Sequence, residues 1–265
     1  MATITPLLRT AEIGVHRFTH PAEHEDQPYE EVASAFMASF VEDGAFNLCV
    51  DGKGWRVAAG DVMLSRPGMR FRASFDGERF NDTCLTLTYL AAGDDGFDAE
   101  RSWARTNRSV LPAGNRLRYL RWGLARAVDN KAPMFAEYCA TEIFREVPDP
   151  ARTRPVSARK FSWYAERIDH ARLRLGADLE DELTASDLAR SVGMSMFHFT
   201  RLFAELVGMP PHRYRLRARL DAARAMLRDG RSVTETCHAC GFNNLSHFSR
   251  SFARAYGAPP SRIGA

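Results

Sequence analysis

The chain has 265 residues, 45% of them hydrophobic and 26% charged, with a formal net charge of +3. That length suffices for two domains with cores of their own, and the composition excludes a chain disordered throughout. No run approaches the roughly 20 apolar residues of a membrane span, MATITPLLRTAEIG lacks the features of a secretory signal, and five scattered cysteines do not suggest a disulfide framework. A cytoplasmic protein with reduced thiols and no membrane contact is expected.

From about Val32 to Leu90, apolar runs (VASAFMASFV, AFNLCV, GWRVA, DVMLS, RFRASF, TCLTLTYL) alternate with turns such as EDG, DGKG and RPGM. Short runs punctuated by Gly and Asp predict an antiparallel β-sandwich or barrel. The period changes from Ala113 onward. Leu117, Leu120, Leu124 and Val128 mark one helical stripe, and Phe135, Tyr138, Cys139, Ile143 and Phe144 mark a second. VPDPARTRPVSA then reads as an interdomain linker, rich in Pro and Arg and without periodicity. Beyond it, helices are expected at about 159–175, 184–191, 195–206, 210–228, 232–239 and 244–255, with a short one from 259. Thr184 with Asp187, and Ser195, supply N-cap chemistry, while Gly208 and Gly257 stand where helices end.

The small net charge conceals an asymmetry. Residues 151–265 hold 19 Lys+Arg against 11 Asp+Glu, a charge of +8, which leaves −5 for the rest. Nearly all of that positive charge is Arg, whose planar fork matches phosphate and guanine edges in a way Lys does not. A polyanionic partner is expected for the C-terminal half.

That half also repeats itself. GMSMFHFTRLFAELVGMPPHRY, from Gly193 to Tyr214, returns with one inserted residue as GFNNLSHFSRSFARAYGAPPSRI, from Gly241 to Ile263. His198, Phe199, Arg201, Phe203, Gly208 and Pro211 recur 49 positions later as His247, Phe248, Arg250, Phe252, Gly257 and Pro260. Two copies of one unit imply two copies of one task. On the first helix Phe199, Leu202, Phe203 and Leu206 share one face, leaving Phe197, Thr200 and Arg201 outward at i, i+3 and i+4. On the second, Phe248, Phe252 and Ala255 are expected inside, with Leu245, Ser246, Ser249 and Arg250 outward. Arg suits the guanine O6/N7 edge in a major groove, and Ser or Thr beside it serves a base or a phosphate. The helices before each reader would brace it and offer N-terminal amides to phosphates.

Residues 159–263 resemble the AraC/XylS family of bacterial transcription regulators, through Gly241–Phe242, the SHFSR run, and the later Phe252, Gly257 and Pro259–Ser261. The resemblance implies two helix-turn-helix units joined by a long helix, here Pro211 to Arg228, that sets two readers in successive major grooves about 34 Å apart. It implies double-stranded DNA as a partner contacted by Phe197, Thr200, Arg201, Leu245, Ser246, Ser249 and Arg250, with RNA polymerase as a further partner. The chain departs from the family where Thr236, Cys237 and Cys240 precede the second Gly-Phe. Looser packing and weaker base preference are expected of that unit.

The resemblance further implies an α+β organisation: a cupin-like antiparallel β-barrel at 1–98 that binds a small effector, a helical dimerisation segment at 99–147, a linker at 148–158, and an all-α domain at 159–265 with two helix-turn-helix motifs. A homodimer associated with the nucleoid follows, acting allosterically and not as an enzyme. Arg66, Arg70 and Arg72, with Trp55 nearby, are candidates to hold an anionic effector, although alternation along the strand would equally turn Arg70 and Arg72 to solvent around an inward Phe71. No metal or other cofactor is expected, since His-x-His is absent. His16, His20 and His24 recur at i+4, but Pro21 interrupts any helix, so they are expected as exposed loop histidines. Cys237 and Cys240 are expected at a partly buried helix position and not as a metal or redox site. Two rival functions remain at this level: a cupin-type metalloenzyme and a protein-interaction module, each with a helical appendage.

Overall fold

The computed structural model describes residues 3–20, 29–74, 82–90, 108–112, 114–145, 156–177, 179 and 183–263. The chain divides into two compact units, Met1–Pro155 and Val156–Ala265.

The first unit is built on ten strands: β1 (Thr3–Arg9), β2 (Ile13–Thr19), β3 (Tyr29–Val32), β4 (Met37–Asp43), β5 (Ala45–Val50), β6 (Lys53–Ala58), β7 (Asp61–Ser65), β8 (Arg70–Ser74), β9 (Thr83–Tyr89) and β10 (Val110–Pro112). All pairings are antiparallel. They form one sheet in the order β1-β2-β9-β4-β7-β10 and another in the order β3-β8-β5-β6. The antiparallel β-domain followed by helices matches the expected α+β organisation.

The larger sheet is covered on both faces, which explains why β9 is a nearly continuous buried run and not an alternating one. Ile13, Val15, Phe40, Val62, Leu85 and Leu87 point outward from the sandwich and meet α1 (Asn115–Asp129) and α2 (Pro133–Arg145) through Leu117, Leu120, Leu124 and Ile143. The residues between them point inward toward the smaller sheet. Phe46, Leu48, Val57, Met63 and Cys84 form that second core. Arg116 of α1 pairs with Glu142 of α2 at 2.6 Å, both buried. A buried pair of this kind fixes how two helices meet more than it stabilises them.

Three expectations required correction here. The run Val32–Val41 is two strands in different sheets, because Ala33 exchanges backbone hydrogen bonds with Met69 and Gly68 and turns the chain. Strands β1, β2, β3 and β10 had no counterpart in the sequence reading. His16 and His20 are not exposed loop residues: β2 pairs with β9, so positions 16, 18 and 20 alternate onto the inner face, where His16 is half-buried and His20 is 5% exposed. Phe75 and His24 lie outside the described residues.

The second unit is helical: α3 (Ala158–Ala177), α4 (Ala185–Ser191), α5 (Met196–Val207), α6 (Pro211–Arg228), α7 (Val233–Ala239), α8 (Leu245–Tyr256) and a 3-10 turn, Pro260–Arg262. Each boundary is chemically marked. Thr184 with Asp187, and Ser232 with Glu235, close reciprocal capping boxes at α4 and α7. Ser195 and Asn244 cap α5 and α8 by accepting from the amides of His198 and His247. Both reader helices stop at a left-handed glycine, Gly208 at φ 83° and Gly257 at φ 73°.

The two helix-turn-helix cores superimpose in chemistry. The Phe199 and Phe203 rings meet at an incline with centroids 5.6 Å apart in the first, those of Phe248 and Phe252 likewise at 5.7 Å in the second, and all four are fully buried. Thr236, Cys237 and Cys240 do not loosen the second core; all three are fully buried, and the cysteines pack among Leu220, Leu227 and Phe242. Burial pushes the Cys237 thiol up, which keeps it protonated. One cost remains, since the Thr236 hydroxyl has no hydrogen-bond partner among the described residues. Ala255 is exposed, contrary to expectation, and Tyr256 takes the place beside Phe252, its hydroxyl donating to Asp221 at 2.6 Å.

Candidate nucleic-acid interface and ligand cavity

Burying Phe199 and Phe203 leaves the opposite edge of α5 in water. Phe197 is 75% exposed, Arg201 is exposed and Thr200 is half-buried. On α8 Leu245 is 45% exposed, Ser246 and Arg250 are exposed and Ser249 is half-buried. The structure thus groups the predicted positions into two short edges, one per helix. A bulky apolar residue heads each edge, a hydroxyl follows and an Arg lies one turn on. Large exposed apolar side chains at the tips of helices are costly in an isolated protein and suit contact with a partner.

The arginines are available. Among the described residues no ion pair involves Arg201 or Arg250, and Asp187 on the preceding helix bonds Thr184 and Arg190. Arg250 is partly held back, its Nε donating to the Ser246 carbonyl at 3.2 Å. The capping boxes also change the picture of the brace helices. The Thr184 and Ser232 side chains hydrogen-bond Asp187 and Glu235 and hold both carboxyls below the usual range, so each is ionised at neutral pH. Their amides at the third helical position are already taken by the caps.

The sequence reading overlooked the groove between the two helix-turn-helix units. It is lined by His212, Arg215 and Arg219 of α6 and by Asn243, Asn244 and His247 at the start of α8. Arg219 donates to the Leu179 carbonyl and Arg215 to that of Leu183, tying the approach to α4 onto α6. Burial, with Arg215 close by, lowers the pKa of Arg219, although a guanidinium stays charged. Gly241 sits against this contact at φ +72°, and a Cβ there would lie 2.4 Å from the Leu179 carbonyl oxygen. The corresponding Gly193 has φ +67° and open space around it.

In the first unit, a cavity of about 220 Å³, partly open to solvent, is lined by residues of both sheets. Phe18, Met37, Phe46, Met63 and Phe71 form its apolar wall. His20 meets Asp82 at 2.6 Å across the ends of β2 and β9, and both are buried. Thr86 donates to the Ser39 hydroxyl at 3.1 Å, and Ser65, 2% exposed, lines the cavity with a hydroxyl that has no partner among the described residues. Burial lowers the pKa of His16, which favours its neutral form, and drives the Cys84 thiol well upward, with Asp82 reinforcing the effect.

The predicted effector-binding arginines are elsewhere. Arg66 is exposed in the turn after β7, and Arg70 and Arg72 are exposed because Phe71 takes the inward position of β8 and alternation turns its neighbours out. Arg70 pairs with Glu30 at 3.2 Å on the surface. Arg72 lines a shallow concavity on the outer side of the smaller sheet, whereas Trp55, opposite Leu48 on β5, packs against the inner core. Only alternation of small polar residues within apolar strands, such as Ser39, Ser65 and Thr86, hinted at the interior cavity in the sequence.

A family profile described as a helix-turn-helix domain matches residues 188–264, the stretch that holds both reader helices. The solved structure of a transcriptional regulator from Chromobacterium violaceum, described as having an AraC-type DNA-binding domain, is 30% identical; the match covers 37% of this chain and 89% of that one, with a TM-score of 0.36. The C-terminal region is an AraC-type helix-turn-helix domain. Among curated relatives, LumQ of Photobacterium leiognathi, named a probable transcriptional regulator, is 32% identical over 85 residues, 32% of this chain and 34% of LumQ. The transcriptional regulator GbdR of Pseudomonas aeruginosa is 35% identical over 85 residues, 32% of this chain and 23% of GbdR. This chain therefore spans about a third or less of the length of these relatives, and the likeness rests on the AraC-type domain. No described helix is long and apolar enough to cross a membrane.

Proposed function

We propose that the chain is a sequence-specific regulator of transcription that binds double-stranded DNA through its AraC-type domain and answers to a small molecule held in its β-domain. The observation that carries this reading is the pair of matched helix edges, Phe197/Thr200/Arg201 and Leu245/Ser246/Ser249/Arg250, each held in the same capped frame with its arginine out of any ion pair among the described residues. α6 has 18 residues, about 27 Å of helix, which supports a spacing of readers near one turn of B-DNA. The excess of Arg over acidic residues in this half supports phosphate contact.

In this reading residues 1–98 are the sensor, 99–147 supply a homodimer contact and 148–158 link them to the reader at 159–265. The protein works in the cytoplasm on nucleoid DNA, with RNA polymerase as a downstream partner, and performs no catalysis. The effector shifts an equilibrium between presentations of the two readers only in proportion to its differential affinity for them. The test is a gel-shift series with the full chain on a selected site: phosphate contacts make affinity fall steeply as salt rises. Salt-independent binding would contradict DNA recognition, and stoichiometric tightly bound iron, zinc or manganese would favour an enzyme instead.

A further inference from the structure

Resting on the reading of the β-domain as effector-binding, we propose that its cavity takes a compact, uncharged, largely apolar molecule of single-ring size bearing a hydroxyl or carbonyl oxygen, and not an anion. Size sets the first limit. An apolar cavity of about 150 Å³ is enough to admit benzene, so one of about 220 Å³ has room for a ring with one or two small substituents. The wall sets the second. Three phenylalanines, Phe18, Phe46 and Phe71, come from both sheets and offer faces and edges to a flat apolar body.

Charge sets the third limit and separates this cavity from the arginine cluster on the outside. Neither Lys nor Arg lines it; its charged groups are Asp82, already engaged with His20, and the exposed Glu31 at its rim. Burial of His16 disfavours its charged form, so the imidazole is a poor partner for an anion. A carboxylate or phosphate placed there would lose its water and face Asp82 without a free cation. A neutral ligand avoids that cost. Its oxygen finds the hydroxyl of Ser65, buried at the wall and without a partner among the described residues, which can donate or accept. Leaving such a group unmet inside a protein is costly, and a ligand that meets it recovers the loss.

The experiment is calorimetric titration of the full chain at neutral pH with 4-methylphenol, 4-methylbenzoate and benzylammonium, which differ in charge at similar size. The neutral phenol is expected to bind at least tenfold more tightly than either ion. Ser65→Ala should weaken it about fivefold, the loss of one hydrogen bond, and Ala73→Leu, which fills the cavity, should abolish binding; circular dichroism checks that both variants fold. Equal or tighter binding of either ion, phenol binding indifferent to Ala73→Leu, or no binding of the phenol would overturn the proposal. The effector reading itself is judged separately. If an ion binds and Ala73→Leu removes it, that reading stands while the neutral class falls.

Discussion

The two helix-turn-helix units are one scaffold carrying two surfaces. Their buried phenylalanines, cap residues and left-handed glycines match position for position, because these residues decide whether a short helix can form and pack. Their outward residues diverge: Phe197 against Leu245, Thr200 against Ser249. Their brace helices diverge as well, Leu188, Ala189 and Val192 in the first facing Thr236, Cys237 and Cys240 in the second. Shape is duplicated while the exposed edge is not, as the proposed recognition of two half-sites of different sequence would require.

The comparison breaks most readily at the core. Phe203→Ala and Phe252→Ala should each cost about 3–5 kcal/mol, and by nearly the same amount, in chemical denaturation of the full chain. A large inequality would mean the two frames are not equivalent. The hinge glycines should differ. Gly193→Ala bears only the left-handed penalty of about 1–2 kcal/mol, whereas Gly241→Ala adds a collision with the Leu179 carbonyl and should cost clearly more. At the surface, Arg201→Ala should cost about 1–3 kcal/mol of binding at a specific site and relax base preference there. Arg250→Ala should cost less, since its guanidinium is partly engaged with the Ser246 carbonyl; titrating DNA variants against both proteins measures the difference. Thr236→Val should stabilise the second unit by about 1 kcal/mol, because it replaces an unpartnered buried hydroxyl with a methyl of the same shape.

Acid provides the gentlest test. Asp187 and Glu235 have pKa values lowered in the folded state, so their contribution is present above the usual carboxylate range and is lost as pH falls through the depressed values. Asp187→Asn and Glu235→Gln should flatten that part of the stability profile to a similar degree, as read by thermal melts across pH.

The helical half was legible because its information is local. Caps, helix-ending glycines and a 3.6-residue stripe all lie within a few positions of the structure they specify. Even there the error at Ala255 came from ignoring the long Tyr256 beside it. The β-domain was legible only where strands alternate cleanly. His20 is buried because Asp82, 62 residues away, is waiting for it, and no local pattern announces such a partner. The cavity is assembled from side chains on eight strands and the residues flanking them, so its composition follows from sheet order. The exposed arginines of β8 were easy to notice for the reason that they are not inside: a charged residue in a strand stands out, while a serine does not.

If two readers of one scaffold meet two separate stretches of DNA, hydroxyl-radical footprinting of a selected site measures it directly. Two protected patches about one helical turn apart on one face are predicted, with Phe197→Ala/Arg201→Ala erasing one and Leu245→Ala/Arg250→Ala the other. A single patch, or loss of the same patch in both double variants, would contradict it.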